Sequence, residues 1–414
     1  MSSSPTQQTF RYEALRAIAS GVIETASGTF LLIIAVRWFE AGAFAKGCIA
    51  AGSGLGYLLS PMVVSLVKHL RLPATVAAAR LALTGGIAMA MAAAIPTLTV
   101  FTASSVIALA CAGALIPLLT QVYQDNYPPD TRGRLFSRTV MIRIVAAATF
   151  SVGAGRLLSQ DITNFRALLV MFAAALMFSA WCLVRVPSQP LAAATPGNPF
   201  RMFTAVRDDR VFRATLISWM FMGFANLMML PLRVEYLANP KYGLVLRPDM
   251  IAILTGVVPN VARLVMSPIW GRLFDRANFF VLRMALNLGF ALGIVSFFTS
   301  DSMLGLAVAA VMFGVSTAGG DVAWSLWVTK IAPADRVADY MSVHTFFTGL
   351  RGLVAPMVGF ALVERYSMVG MGWVAAASFL VASAMLLPEA GRGNLVRPRS
   401  APTTPPVPAD EGEA

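Results

Sequence analysis

Residues 187–213 read Pro-Ser-Gln-Pro-Leu-Ala-Ala-Ala-Thr-Pro-Gly-Asn-Pro-Phe-Arg-Met-Phe-Thr-Ala-Val-Arg-Asp-Asp-Arg-Val-Phe-Arg. Pro187, Pro190, Pro196 and Pro199 exclude a helix through this stretch, since each removes a backbone donor and clashes with the turn before it. The next residues, Phe200 to Arg207, form a short basic amphipathic piece suited to a membrane interface. On either side, apolar stretches of roughly 20 residues recur, the length that crosses a bilayer. Six precede the break, near 14–36, 45–67, 74–95, 98–122, 137–158 and 166–185. Six follow it, near 213–236, 249–274, 279–299, 302–330, 338–362 and 367–388. The pattern predicts an all-α integral membrane protein of two six-helix bundles. Residues 1–186 form the first bundle, 187–212 a linker, 213–388 the second bundle and 389–414 a disordered tail rich in Pro, Thr and Ala.

Composition agrees. Hydrophobic residues make up 57% and charged residues 13% of the chain, whereas soluble domains carry about 25% charge. The net charge of +12 suggests a polyanion partner until its distribution is read. Twenty Lys and Arg fall in the termini, the linker and the loops on their side; eight fall on the opposite side, and Arg80, Arg143, Arg263 and Arg351 lie within spans. That asymmetry places both termini in the cytoplasm, in a cell (inner) membrane, and no nucleic-acid partner is expected. No cleavable leader is evident at the N-terminus, where Arg11, Glu13 and Arg16 precede a long first span. Cys48, Cys111 and Cys182 all fall within spans, so neither a disulfide framework nor a metal cluster is expected. With two histidines, no metal-ligand spacing and no phosphate loop, the chain is expected to use no cofactor and to be no enzyme. A membrane transferase built on His344 and Asp339 lacks a nucleophile spaced to assist.

Against this background the buried charges stand out. Glu24 sits midway along span 1, with Ser20 and Ser27-Gly28 on its face. Asp321 follows Gly319-Gly320 in span 10, on a stripe with Gly314, Thr317 and Ser325. A charge at bilayer depth costs roughly 2.5–3.5 kcal/mol on insertion scales, so such groups face a bundle interior or a wet cavity. Each acid is either a proton-coupling or substrate-contacting group, or a structural carboxylate that fixes helix packing. Arg263 and Arg351 keep their protons and need an anion: Asp321, Glu24 or a ligand. Arg143, close to the start of span 5, is expected to snorkel toward the cytoplasm. Asn226 is the candidate cavity residue of the Met-rich span 7, and His344 shares a face with Thr348 and Arg351. Trp324 and Trp327 either wall a pocket or anchor at the interface.

The two halves echo one another. Pro129-Asp130-Thr131-Arg132 with Phe136 after span 4 parallels Pro333-Ala334-Asp335-Arg336 with Tyr340 after span 10, and Ser60-Pro61 parallels Ser267-Pro268. Parallel repeats of this kind are related by an axis along the membrane normal. Gly271-Arg272-Leu273-Phe274-Asp275-Arg276 carries the first half of a Gly-x-x-x-Asp-Arg loop motif, while Ser65 to Arg71 keeps only its positive charge. With six plus six spans and a basic central loop, the chain resembles the major facilitator superfamily. The resemblance implies that fold, with a pseudo-twofold axis, and a cytoplasmic gate at Gly271, Asp275, Arg276, Arg132 and Arg336. It also implies that spans 2, 5, 8 and 11 slide at the interface between halves, where Gly52-x-x-x-Gly56, Gly153, Gly155, Gly349, Gly352, Pro356 and Gly359 would give close approach. The Gly-Pro motif that proton-driven antiporters of the family often carry in span 5 is absent from Thr149 to Arg156.

The expected function is secondary active transport of a small solute, such as an organic anion, by alternating access, with H+ as coupling ion. Glu24, Asp321, Arg263, Arg351 and Asn226 are the expected path residues, lipid the only other partner, and the monomer the expected state. The alternative is a transporter-shaped scaffold or sensor that moves nothing.

Overall fold

The computed structural model describes residues 4–128, 131–190, 203–332 and 337–391. Twelve helices in it are long and apolar enough to cross a membrane. They are α1 (Pro5–Arg37), α2 (Ala43–His69), α3 (Ala74–Ala94), α4 (Leu98–Tyr123), α5 (Leu135–Gln160) and α6 (Ile162–Val184), then α7 (Arg210–Ala238), α8 (Pro248–Phe274), α9 (Phe279–Phe298), α10 (Met303–Trp324), α11 (Val343–Leu362) and α12 (Met368–Gly391). The helix of α10 continues to Ile331 and that of α11 begins at Val337. Helix ends are set by side chains the hydropathy pattern does not weigh. Ser4 accepts from the Gln7 N–H ahead of Pro5, and the Asp209 carboxylate accepts from the Phe212 N–H, so α1 and α7 start before their apolar stretches do. Of the amphipathic linker piece, Thr204–Asp208 is helical and residues 191–202 lie outside the described set.

The helices form two six-helix bundles, α1–α6 and α7–α12, which meet along α2 against α11 and α5 against α8. Within lipid there is no hydrophobic gain in joining helices, so close backbone approach carries the contact. Gly54 of α2 lies against the backbone of Gly352, Gly349 against Tyr57 and Leu58, and Gly155 of α5 against Asp249 and Ala252 of α8. The Gly52-x-x-x-Gly56 motif does not serve this interface. Both glycines pack on α4, at Leu109 and Ala110, because they lie on the opposite face of α2 from Gly54. Gly359 likewise packs on Met228 within its own half, and Gly153 has no close neighbour.

An even number of spans puts both termini on one face of the bilayer, called here the terminal face. Toward the opposite face the halves are sealed. Lys46 Nζ donates to Glu235 Oε1 at 2.6 Å, and Asn239 Nδ2 donates to the same oxygen at 2.7 Å. Arg37 donates to the Leu246 carbonyl at 2.8 Å, and the Asp249 N–H donates to Ser159 at 2.8 Å. The far half of α1, Leu31 to Ala35, is fully buried against α7. Outside the helices, Asp161 heads a short turn before α6; the Thr163 N–H donated to its carboxylate holds that acid below the usual range.

Candidate functional site

Two helices depart from α geometry where the halves face each other. Ala26–Phe30 of α1 and Ile253–Val257 of α8 each form a π-helical turn, a feature that widens a helix locally and gathers at functional sites. The Thr29 and Thr255 hydroxyls meet across the interface at 2.9 Å. One turn toward the terminal face from this pair lies Glu24.

Glu24 is the centre of a four-residue charge chain. Arg263 Nη1 donates to Glu24 Oε1 at 2.8 Å, and Arg263 Nε donates to Asp321 Oδ2 at 2.6 Å. Arg143 Nε lies 3.1 Å from Glu24 Oε2, an ion-pair contact without hydrogen-bond alignment. The order Arg143–Glu24–Arg263–Asp321 runs from α5 through α1 to α8 and α10, so the Glu24–Arg263 bond joins the two halves. Arg143 therefore does not snorkel: an anion within reach at the same depth outweighs the stretch to the interface. The Arg263 side chain is 10% exposed, Glu24 33% and Asp321 47%. Both carboxylates are therefore partly accessible, while the halves are bonded together toward the opposite face.

Beside the chain is a cavity of about 120 Å³ lined by Ser27, Gly28, Ser53, Tyr57, Leu227, Pro231 and Thr348, thus drawn from α1, α2, α7 and α11. At ~30 Å³ per water it holds about four waters, or a fragment of similar size. Tyr57 lies within electrostatic reach of both Glu24 and Arg143. A larger groove of about 820 Å³ among α7, α11 and α12 is lined by apolar side chains such as Phe221, Phe224, Val358 and Val374. It contains none of the charges, so the smaller cavity is the functional candidate.

The other expected site residues are placed differently. Arg351 is buried in the second half and reaches neither Glu24 nor Asp321; it donates to the Trp219 carbonyl at 2.6 Å and to Thr348 at 3.1 Å. Asn226 is half-buried on α7 with Oδ1 unpaired, next to the cavity residue Leu227. Trp327 is wholly buried among Phe212, Trp219 and Phe279 and is no interface anchor. Of the gate residues, Gly271 has open space around it and Arg276 is exposed at the terminal face. The side chains of Arg132 and Asp275, and all of Arg336, lie outside the described residues.

Sequence reasoning missed Lys46, Glu235 and Arg283. Lys46 and Arg283 sit near span ends and read as loop charge, yet all three are buried. The signal for Glu235 was present: an acid inside the last turn of an apolar span.

Residues 16–356 match the family profile described as Major Facilitator Superfamily. No curated relative matches the chain. Among solved structures, the chain is similar to the nucleoside transporter NupG, with a TM-score of 0.70 and 14% identity over 93% of this chain and 99% of that one. A transporter of the POT family in complex with a thioalcohol-conjugated peptide aligns with a TM-score of 0.72 and 12% identity, over 94% and 96%. The D-xylose–proton symporter aligns with a TM-score of 0.64 and 16% identity, over 92% and 95%.

Proposed function

The chain belongs to the major facilitator superfamily, and on that premise we propose that it is a proton-coupled secondary transporter that moves a small organic anion across the cytoplasmic membrane by alternating access. It works as a monomer with both termini in the cytoplasm. The positive-inside asymmetry makes the terminal face cytoplasmic, so the conformation described here faces inward.

The observation that carries the reading is the Glu24–Arg263 bond between the halves, at the edge of an accessible cavity. Two cations and two carboxylates in the chain sum to zero charge. Protonating one carboxylate leaves a net positive site at bilayer depth, where an uncompensated charge is costly. A solute anion restores neutrality, so proton and anion bind together more readily than either alone. The same protonation weakens Arg263's hold on Glu24 and frees the halves to rock about the α2–α11 and α5–α8 contacts. In the outward-facing state, Gly271, Asp275, Arg276, Arg132 and Arg336 close the cytoplasmic end. Asn226, beside the cavity residue Leu227 on α7, would offer its side-chain amide N–H to the anion.

The test is acid-driven uptake in liposomes holding a pH-sensitive dye, with a panel of mono- and dicarboxylates preselected by their effect on melting temperature. Solute-dependent proton entry is expected, and its loss in Glu24→Gln with the fold retained. No solute-dependent proton movement with any carboxylate, or full coupling in Glu24→Gln, would overturn the assignment; binding without flux would favour a sensor.

A further inference from the structure

Behind the transport cavity, the second half holds two neighbouring buried arginines that form no ion pair among the described residues. Arg283 of α9 is 1% exposed and Arg351 of α11 is 4% exposed. Both guanidiniums approach the same indole: Arg283 Cζ lies 4.0 Å and Arg351 Cζ 5.9 Å from the Trp219 ring centroid. No described carboxylate acts on either one, and each is close enough to bear on the neighbouring His344. Among the described residues, Arg283 Nη2 has only the Met222 sulfur, at 2.8 Å, and Arg351 has the Trp219 carbonyl and the Thr348 hydroxyl. The described residues leave Arg283 Nη1, Arg351 Nε, Trp219 Nε1, Trp327 Nε1 and both nitrogens of His344 buried without partners.

The unsatisfied atoms are mostly donors. Four are obligate N–H donors and two belong to cations, while His344, 5.2 Å from both Trp219 and Trp327, can present a donor at either nitrogen. A guanidinium cannot lose its proton to escape burial. Cation–π attraction to one shared indole offsets only part of the cost of removing two like charges from water. A water molecule would satisfy donors but would leave both charges. The remaining resolution is an anion.

We propose that this cluster is a binding site for a small monoanion, a halide or the carboxylate end of a solute, held by Arg283, Arg351, His344 and the indole N–H groups of Trp219 and Trp327. It is distinct from the Glu24–Arg263–Asp321 chain, whose cation is already doubly paired. Access runs past Thr348, which lines the transport cavity and accepts from Arg351. Gly223 keeps the space open, since a Cβ there would stand 2.5 Å from Arg351 Cζ. The bound anion would tie α7, α9 and α11 into one body. Donor chemistry and burial define this site independently of transport, so a chain that bound the anion but moved no solute would still contain it.

The experiment uses the full purified chain at constant ionic strength. Sodium isethionate is replaced stepwise by sodium chloride in one arm and sodium formate in another, with melting temperature as readout. Bromide quenching of tryptophan fluorescence is a second readout at Trp219 and Trp327. A saturable rise in melting temperature with chloride identifies a halide site, and one with formate alone a carboxylate site. In Arg283→Met the half-saturating concentration should rise at least tenfold, while Arg247→Met, an exposed cation outside the cluster, should match the wild type. Trp327→Phe, which loses the indole N–H and keeps a smaller aromatic ring, should weaken binding several-fold and serves if Arg283→Met fails to fold. Absence of any saturable response in the wild type, or an undiminished response in the variant that folds, would overturn the proposal.

Discussion

Removing the charge of Glu235 should open the sealed end. Lys46 and Glu235 are 9% and 2% exposed at the side chain, and the ammonium is 5.3 Å from the Phe360 ring centroid. Glu235→Gln keeps the shape but leaves Lys46 buried without an anion, since Glu235 Oε1 is its only charged partner among the described residues. Breaking one side of a buried pair costs about 3–5 kcal/mol. Once the halves part, both groups are hydrated and the pair is worth at most about 1 kcal/mol. The sealed state is therefore weakened against the open one by about 2–5 kcal/mol, or roughly thirty- to several-thousand-fold in population at 1.4 kcal/mol per decade. The readout is a cysteine at Thr255, which is 9% exposed behind the seal, in a background with Cys48, Cys111 and Cys182 changed to Ala. Its alkylation by a membrane-impermeant maleimide reports opening toward the opposite face. Glu235→Gln should raise that rate at least tenfold, whereas Lys46→Met with Glu235→Leu, which removes both charges, should bring it back toward the parent. An unchanged rate in a folded Glu235→Gln protein would refute the role of this pair as a seal.

Other expectations follow from the same geometry. Arg263→Met strips Asp321 of its hydrogen-bonding cation and Glu24 of one of two, so proton-coupled flux should disappear while melting temperature falls by only a few degrees, because both acids can turn to water; unaltered flux in liposomes would contradict this. Gly54→Leu places a side chain in the backbone of Gly352, where overpacking typically costs about 1–3 kcal/mol. Transport should cease with the α2–α11 line forced apart, checked by loss of cross-linking between cysteines at Ser53 and Gly352. Gly223→Ala should cost about as much through its clash with Arg351, seen as a lowered melting temperature with the Glu24–Arg263 chain intact.

The twelve spans and their division into two bundles were legible because bilayer length and the four prolines after Pro187 are properties of local sequence. Glu24, Asp321 and Arg263 were legible as candidates for the same reason: charge inside an apolar run is visible without knowing the fold. Their pairing was not. Helical register gives the face of a residue but not the neighbouring helix, so Arg143 read as a snorkelling cation although Glu24 stands 3.1 Å away. Gly52 and Gly56 read as an interface motif although the contact between halves falls to Gly54. Lys46 and Arg283 were hidden for a different reason. Both occur within a few residues of a span end, where hydropathy assigns charge to water, and both turn inward.

Two of the buried-cation groups in the second half differ in what they contact. Arg263 has two carboxylates, one of them across the interface between halves, so its energy depends on how the halves sit. A proton on either acid would change that dependence, as the proposed release and re-forming of the contact requires. Among the described residues, Arg283 and Arg351 hydrogen-bond only within their own half, at Met222, Trp219 and Thr348, so rocking would leave these bonds intact. An anion bound there would stay through the motion and keep α7, α9 and α11 rigid, while Arg263 works at the moving surface. Proton dependence should therefore follow Glu24 and Asp321, and anion dependence of stability should follow Arg283 and Arg351. Flux measured against pH and melting measured against anion should separate in the corresponding variants; if Arg283→Met shifted the pH dependence of flux as Glu24→Gln does, the two systems would be one.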